Sequence, residues 1–372
     1  MKIKISLIFL VIIFTLNACL TPITDFEQTI SKSFLTIEAS LTDQAGTNQV
    51  KIYQSSNLLI STFAKPVVFT PISRAKVYFK DEKGVSEELK ESPILAGTYQ
   101  ASPQFVGRVG GIYILNIETS DGQKYQSSPE TMKAVPEIEN LLTRFEINDN
   151  YTKKDALRAG FNVYVDFQDP ISKDDFYYWY WKHYEKIDIC EVCVGAPYDF
   201  RLNTCRRSTA EKVFNYKCDG NCWGINFSTD LNIFSDALLN GQRITGKQIL
   251  RIPYDGNSPY YLQFEQRAIT KNAYSYYQSL KNQTQNNGTL FDIPAETKFS
   301  FNIKSTTNPS EKILGIFDVY SYRKKILYID RKQNVPSDEL PVISILDGEV
   351  SGQVPCVEGL NRTKIQPEGW KD

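Results

Sequence analysis

Six cysteines between residues 190 and 356 are the side chains here with the most chemistry to offer. Cys190-x-x-Cys193 and Cys218-x-x-x-Cys222 have the spacing of zinc ligands, and Cys190-Glu-Val-Cys193 also has that of a redox pair. Cys205 and Cys356 complete an even set, and an even set in an oxidising compartment pairs as disulfides. Five of the six crowd into Cys190–Cys222, a polar stretch with little apolar periodicity. Such a segment buries little apolar surface, so covalent closure takes the place of a local core. No βαβ pattern surrounds the Cys-x-x-Cys element, which argues against a thioredoxin-like role. Three disulfides are therefore expected, with no metal and no cofactor. Sequence leaves the pairing open, but Cys356 lies far from the rest, so one bond should tie the C-terminal segment back to the cluster.

The remaining chemistry is sparse. His183 is the single histidine, so any Ser-His-Asp or Cys-His mechanism would depend on one residue inside an aromatic run. No nucleophile elbow, phosphate-binding loop or dinucleotide fingerprint appears. A glycosidase needs two carboxylates a few ångström apart, and among 43 acidic residues sequence spacing does not single out a pair. Asp219-Gly220-Asn221 resembles a fragment of a calcium loop without the rest of it and reads as a turn. No catalytic residue is assigned, and the chain is not expected to be an enzyme. Recognition is expected from the Cys-rich insertion, residues 188–224, through Tyr198, Arg201, Arg206, Arg207, Tyr216 and Trp223. Aromatic and arginine side chains are the types enriched at interface hot spots, and cross-linking lowers the entropy lost when a loop is ordered by a partner.

The seventh cysteine, Cys19, has a different context. Lys2 and Lys4 form a positive start, Ile5 to Leu16 is almost unbroken apolar, and Leu16-Asn17-Ala18-Cys19 resembles a bacterial lipobox. The apolar run is too short to span a bilayer, which takes about 20 residues, and suits a signal peptide. Residues 1–18 are therefore expected to be cleaved and Cys19 to carry acyl chains that hold the protein to a membrane. Residues 19–32 would then form a lipidated tether. Loss of Lys2 and Lys4 takes the formal charge from −1 to −3, which gives no support to a nucleic-acid partner.

The elements that must position these residues read mainly as strands. Leu35, Ile37, Ala39 and Leu41 alternate with polar neighbours, as do Val50/Ile52 and Ala75/Val77/Phe79, the period-2 signature of half-buried strands. Ile112 to Thr119 alternates again. Ser120-Asp121-Gly122-Gln123 then predicts a type I′ hairpin, which needs positive φ at both central residues. This pattern suggests an N-terminal Ig-like or transthyretin-like β-sandwich over residues 33–135. A larger β-sandwich-type domain with one short helix and the Cys-rich insertion should follow over 136–372. Phe161–Phe167 alternates. Phe176–Tyr184 is aromatic on both faces, either because it is buried on both sides or because it offers a Trp/Tyr platform to a flat ligand. Further strands are expected at 248–253, 260–267, 298–303, 314–320 and 326–330. A helix is expected at Lys271–Lys281, N-capped by Thr270, with Ala273, Tyr277 and Leu280 toward the sheet and Asn286-Asn287-Gly288 at its end.

The order of several motifs resembles an uncharacterised Bacteroidetes lipoprotein family, the domain of unknown function 4249. The strand Tyr260–Arg267 leads into an aromatic-rich helix. Phe291-Asp292-Ile293-Pro294, Asn302-Ile303 and Leu314-Gly315-Ile316-Phe317 follow, and Glu368-Gly369-Trp370 near the C-terminus resembles the family's ending. Ala75-Lys76-Val77, Gly97-Thr98-Tyr99 and Tyr113–Tyr125 match the N-terminal part. Ile316 stands where the family has an aromatic residue, and Cys205–Cys222 looks like an insertion. The resemblance implies an outer-membrane lipoprotein that accompanies a TonB-dependent transporter, hence a β-barrel partner, and it supplies no catalytic residues. Two other classes remain as expectations: an extracytoplasmic enzyme acting on glycans, and a structural or adhesive surface lipoprotein.

Overall fold

A computed structural model describes residues 33–56, 68–155, 158–172, 174–256, 259–285, 299–341 and 348–371. The expected signal peptide, Cys19, the tether and the Phe291–Pro294 motif lie outside them. The chain divides into a small unit, residues 1–33 and 55–70, and a main unit, residues 34–54 and 71–372. Few residues of the small unit are described, and the following concerns the main unit.

It is mainly β, with one helix among the described residues. The alternating segments near the N-terminus form the strands Phe34–Thr42, Gln49–Ser56, Lys76–Asp81 and Ile112–Glu118. Their inward residues Ile37, Leu41, Val50, Ile52, Val77, Phe79 and Leu115 pack into one core in sandwich-like fashion. Ile303, Ile313, Phe317 and Val319 belong to the same core, so residues far along the chain complete it. Fully burying a side chain of this size contributes about 1.5–3 kcal/mol.

Two readings of the sequence change here, and one strand is not read at all. Asp121 does not adopt a positive φ; Gly122 does, at 85°. Gly122 N–H donates to Thr119 C=O and Thr119 N–H to Gln123 C=O, the arrangement of a three-residue hairpin loop with a single left-handed glycine. The segment Ser86–Glu91 is a strand although only Leu89 of its six residues is buried, too little for alternation to register. The two strands expected at 314–320 and 326–330 are one 17-residue strand, Ile313–Ile329. No Gly or Pro interrupts its polar middle, Ser321–Lys325, which stays paired with Phe264–Ala268.

That long strand joins two surroundings. Its first half pairs in parallel with Phe34–Thr42, Leu35 opposite Ile313 and Thr42 opposite Tyr320. Its second half pairs antiparallel with Tyr260–Ile269, which in turn pairs with the aromatic strand Phe176–Lys186. Gly315 sits at φ 96°, and a Cβ there would lie 2.0 Å from the Ile37 carbonyl oxygen, so only glycine permits the approach. Asn302 clamps the same region: its amide donates to Phe317 C=O and Glu130, and its side-chain oxygen accepts from Phe317 N–H.

The aromatic strand is buried on both faces, which accounts for its lost alternation. Tyr177 and Trp179 face a three-stranded sheet of Asn140–Ile147, Ala159–Gln168 and Arg243–Pro253, with Phe167 edge-on to both rings at 5.1 and 6.2 Å. Phe176 and Tyr178 face the helix Lys271–Gln285. Thr270 caps that helix, its Oγ1 accepting from Ala273 N–H at 3.3 Å. The helix runs four residues past the expected Lys281. Asn286–Gly288 lie outside the described residues.

The Cys-rich stretch is more regular than its polar sequence suggests. It holds the strands Ile189–Val194, Val213–Asp219 and Trp223–Phe227. Val213–Asp219 pairs with Ile189–Val194 on one side and, in parallel, with Glu349–Pro355 on the other. Residues 349–355 therefore complete this lobe.

Candidate functional site

All six described cysteines are paired: Cys190–Cys218, Cys193–Cys205 and Cys222–Cys356. Cys190 and Cys193 are bonded to different partners and not to each other, and with all six sulfurs in disulfides none is a thiolate ligand in this state. The bond from Cys222 reaches the C-terminal segment, as expected. Buried sulfurs with Tyr198, Tyr216 and Val354 make up the small core of the lobe.

The six residues proposed for recognition separate into two groups. Tyr198, Tyr216 and Trp223 are buried; the Tyr216 hydroxyl accepts from Tyr198 N–H at 2.9 Å, and Trp223 packs edge-on to Trp370. These rings hold the lobe together and present no surface to a partner. Arg201, Arg206 and Arg207 are exposed, and Arg206 is held by Asp199 at 3.1 Å. Beside them stand Phe200 and Leu202, 62% and 72% exposed. Sequence reading passed over these two because it weighed Tyr, Trp and Arg.

His183 has a structural setting. It is buried, stacks on Tyr260 at 3.4 Å between ring centroids, and places Nε2 3.4 Å from Glu185. Burial opposes the charge of Glu185, but His183 and Arg331 hold its carboxyl below the ordinary carboxylate range. Arg331, itself buried, also pairs with Asp255 at 2.7 Å.

A concavity lies elsewhere, where the helix, the first strand and the long strand meet. It has a volume of about 300 Å³ and is lined by Glu38, Lys51, Arg267, Tyr276, Asp318 and Tyr320, among others. A second cavity of about 290 Å³, lined also by Asn48, Gln100 and Tyr322, shares Arg267 and Tyr320 with it. Arg267 is the hub. Its guanidinium lies 4.3 Å from the ring centroid of Tyr180, 4.8 Å from Tyr320 and 5.5 Å from Tyr178. It pairs with Glu265 at 2.5 Å. Burial works against its charge, but Tyr320 and Glu265 hold the group firmly protonated, and the ring faces add cation–π attraction.

Asp318 is the unusual member. It is buried, accepts the Tyr277 hydroxyl at 2.7 Å through Oδ2, and its Oδ1 has no hydrogen-bond partner among the described residues. Burial lifts its carboxyl to about 6, against the pull of the Tyr277 hydroxyl and Arg267. The cavity thus offers a fixed cation, a carboxyl half-charged near pH 6 and tyrosine side chains, a lining suited to a small ligand with both a polar edge and a flat face. Sequence reasoning missed this site. The available signal was charge inside buried runs: Glu265 and Arg267 two apart in Tyr260–Ile269, and Asp318 within Leu314–Tyr320.

Residues 21–326 match the family described as Domain of unknown function (DUF4249), and the chain belongs to that family. No curated protein matches it. No helix among the described residues is long and apolar enough to cross a membrane.

Proposed function

We propose that this chain is a lipid-anchored outer-membrane lipoprotein that serves as a binding or accessory subunit of a TonB-dependent transporter or a comparable outer-membrane complex. The observation that carries the reading is the tip of the lobe. Phe200 and Leu202 stand in water on a turn braced by the Cys193–Cys205 bond, next to Arg201 and Arg206. Large apolar side chains displayed on a cross-linked turn and rimmed by arginine suit a protein interface. Acylated Cys19 would confine the chain to the membrane surface, so a β-barrel embedded there is the partner in reach.

The test is copurification of the lipidated full chain with a β-barrel from solubilised outer membranes, compared with Phe200→Ser/Leu202→Ser. Both side chains are exposed, but Phe200 also meets the rings of Tyr198 and Tyr216 edge-on, so thermal melting and an intact Cys193–Cys205 bond must first show that the variant folds as wild type. Loss of the barrel from the variant supports the reading; equal capture refutes the lobe as the contact. Excision of residues 205–222 is a poor substitute. It removes the central strand of the lobe and the partners of Cys190, Cys193 and Cys356.

A second reading, an enzyme acting on glycans, draws on Asp318. A buried carboxyl near 6 in a tyrosine-lined cavity has the protonation of a general acid. Glycan turnover abolished by Asp318→Asn would favour it.

A further inference from the structure

Three carboxylates remote in sequence from the Arg267 cavity converge at one end of the aromatic strand. Asp169 follows the strand Ala159–Gln168, Asp175 directly precedes Phe176, and Asp236 follows the strand Asn232–Ser235. Their side chains are buried, with the residues 1%, 5% and 1% exposed. One oxygen from each lies within 4.8 Å of the other two. Oxygens bound to a single calcium ion at about 2.3–2.6 Å stand at most about 5 Å apart, so the three fit one coordination sphere.

Their existing partners leave a deficit. Asp169 accepts the Tyr177 hydroxyl at 2.6 Å and Gly241 N–H at 2.9 Å. Asp175 accepts the Ser172 hydroxyl, and Lys133 Nζ lies 3.8 Å from its other oxygen. Asp236 accepts Asp175 N–H through Oδ1 at 3.1 Å. Asp236 Oδ2 is buried and has no hydrogen-bond partner among the described residues. Buried carboxylate oxygens are almost always satisfied, and among the described residues one lysine pairs with the three acids. The unmet oxygen and the unmet charge point to the same thing.

We propose that Asp169, Asp175 and Asp236 bind a calcium ion, with Asp236 Oδ2 as the ligand that only the ion satisfies. All the donors are oxygens, which selects a hard cation over zinc or copper. A buried site leaves little room for the retained waters that magnesium prefers. The ion joins the loop after Gln168, the start of the aromatic strand and the turn after Ser235. It therefore pins the two sheets of this core to each other at one end. The proposal is independent of what the lobe or the Arg267 cavity binds.

The experiment begins with the full chain, stripped with a chelator and titrated with calcium alone. Calorimetry should show one ion bound per chain, and the melting temperature should rise with calcium and fall back when chelator is restored. Terbium in the site should luminesce on excitation of the protein, since Tyr177 is bonded to a ligand, and calcium should quench that emission by displacement. Asp236→Asn should weaken calcium binding at least tenfold; Asp169→Asn serves if that variant fails to fold. The proposal is overturned if wild-type protein shows neither heat nor a melting shift with calcium, which would leave the open oxygen to a proton. It is equally overturned if both variants bind calcium as tightly as wild type, or if magnesium displaces terbium at the same concentration as calcium.

Discussion

Replacing Asp318 by Asn should make the protein more stable, relative to wild type, as pH rises. Burial raises the carboxyl from its ordinary 3.8 to about 6, so the native chain keeps a proton that the unfolded chain has lost. Below 3.8 both states are protonated and the group has no effect; between 3.8 and about 6 the native state loses ground; above about 6 the loss is complete. The rise spans roughly two pH units, and at about 1.4 kcal/mol per unit it withdraws about 3 kcal/mol from wild type near neutrality. Asn keeps an acceptor for the Tyr277 hydroxyl and does not ionise, so its offset from wild type at low pH is constant and the slope is absent. Urea unfolding with disulfides intact, followed from about pH 4 to about pH 8, measures both curves. The gap should widen in favour of the variant by about 2.5 kcal/mol across that range, since about 0.5 kcal/mol is already lost at pH 4. Parallel curves, or a gap that moves against the variant with rising pH, would refute the burial argument.

Cys19→Ala should release the protein from membranes with its body folded; a variant that still sediments with membranes would show that something other than lipid holds it. Thiol counting on the denatured, unreduced exported protein should find no free thiol among the six cysteines of residues 190–356. Cys222→Ser/Cys356→Ser opens a closure of 134 residues, which on chain entropy should cost about 5 kcal/mol. Hydrogen exchange should then find Glu349–Pro355 opening first. Gly315→Ala meets the Ile37 carbonyl and a left-handed backbone at once, and denaturant unfolding should show a loss of about 3 kcal/mol or more.

Much of the scaffold was legible because burial on one face writes itself as alternation. Phe34–Thr42, Lys76–Asp81 and Ile112–Glu118 carry that pattern, and each is a strand. The both-face burial of Phe176–Lys186 could also be read, since its aromatics run without a break. Legibility failed where the stabilising contact was not apolar. Val213–Asp219 is held by two neighbouring strands and a disulfide, and neither leaves a period in the sequence. The Arg267 cavity failed for another reason. Glu38, Lys51, Arg267 and Asp318 come from four strands, and only the pairing of Phe34–Thr42 with the long strand brings them together. The Asp169, Asp175 and Asp236 cluster is equally invisible, because the two ends of the loop between Gln168 and Phe176 meet the turn after Ser235 only in the fold.

The parallel pairing of Leu35 with Ile313 also constrains how the protein comes into being. Synthesis delivers Phe34–Thr42 near the beginning and its neighbour near the end. Until the long strand arrives, one edge of that early strand has no ladder, and the core that needs Phe317 and Val319 stays open. Pairings this distant in sequence are the slow ones, and an open edge in the meantime invites aggregation. The nascent chain therefore needs an escort for nearly its whole length, and premature termination anywhere before residue 313 should leave a product that proteases clear rather than a smaller folded protein.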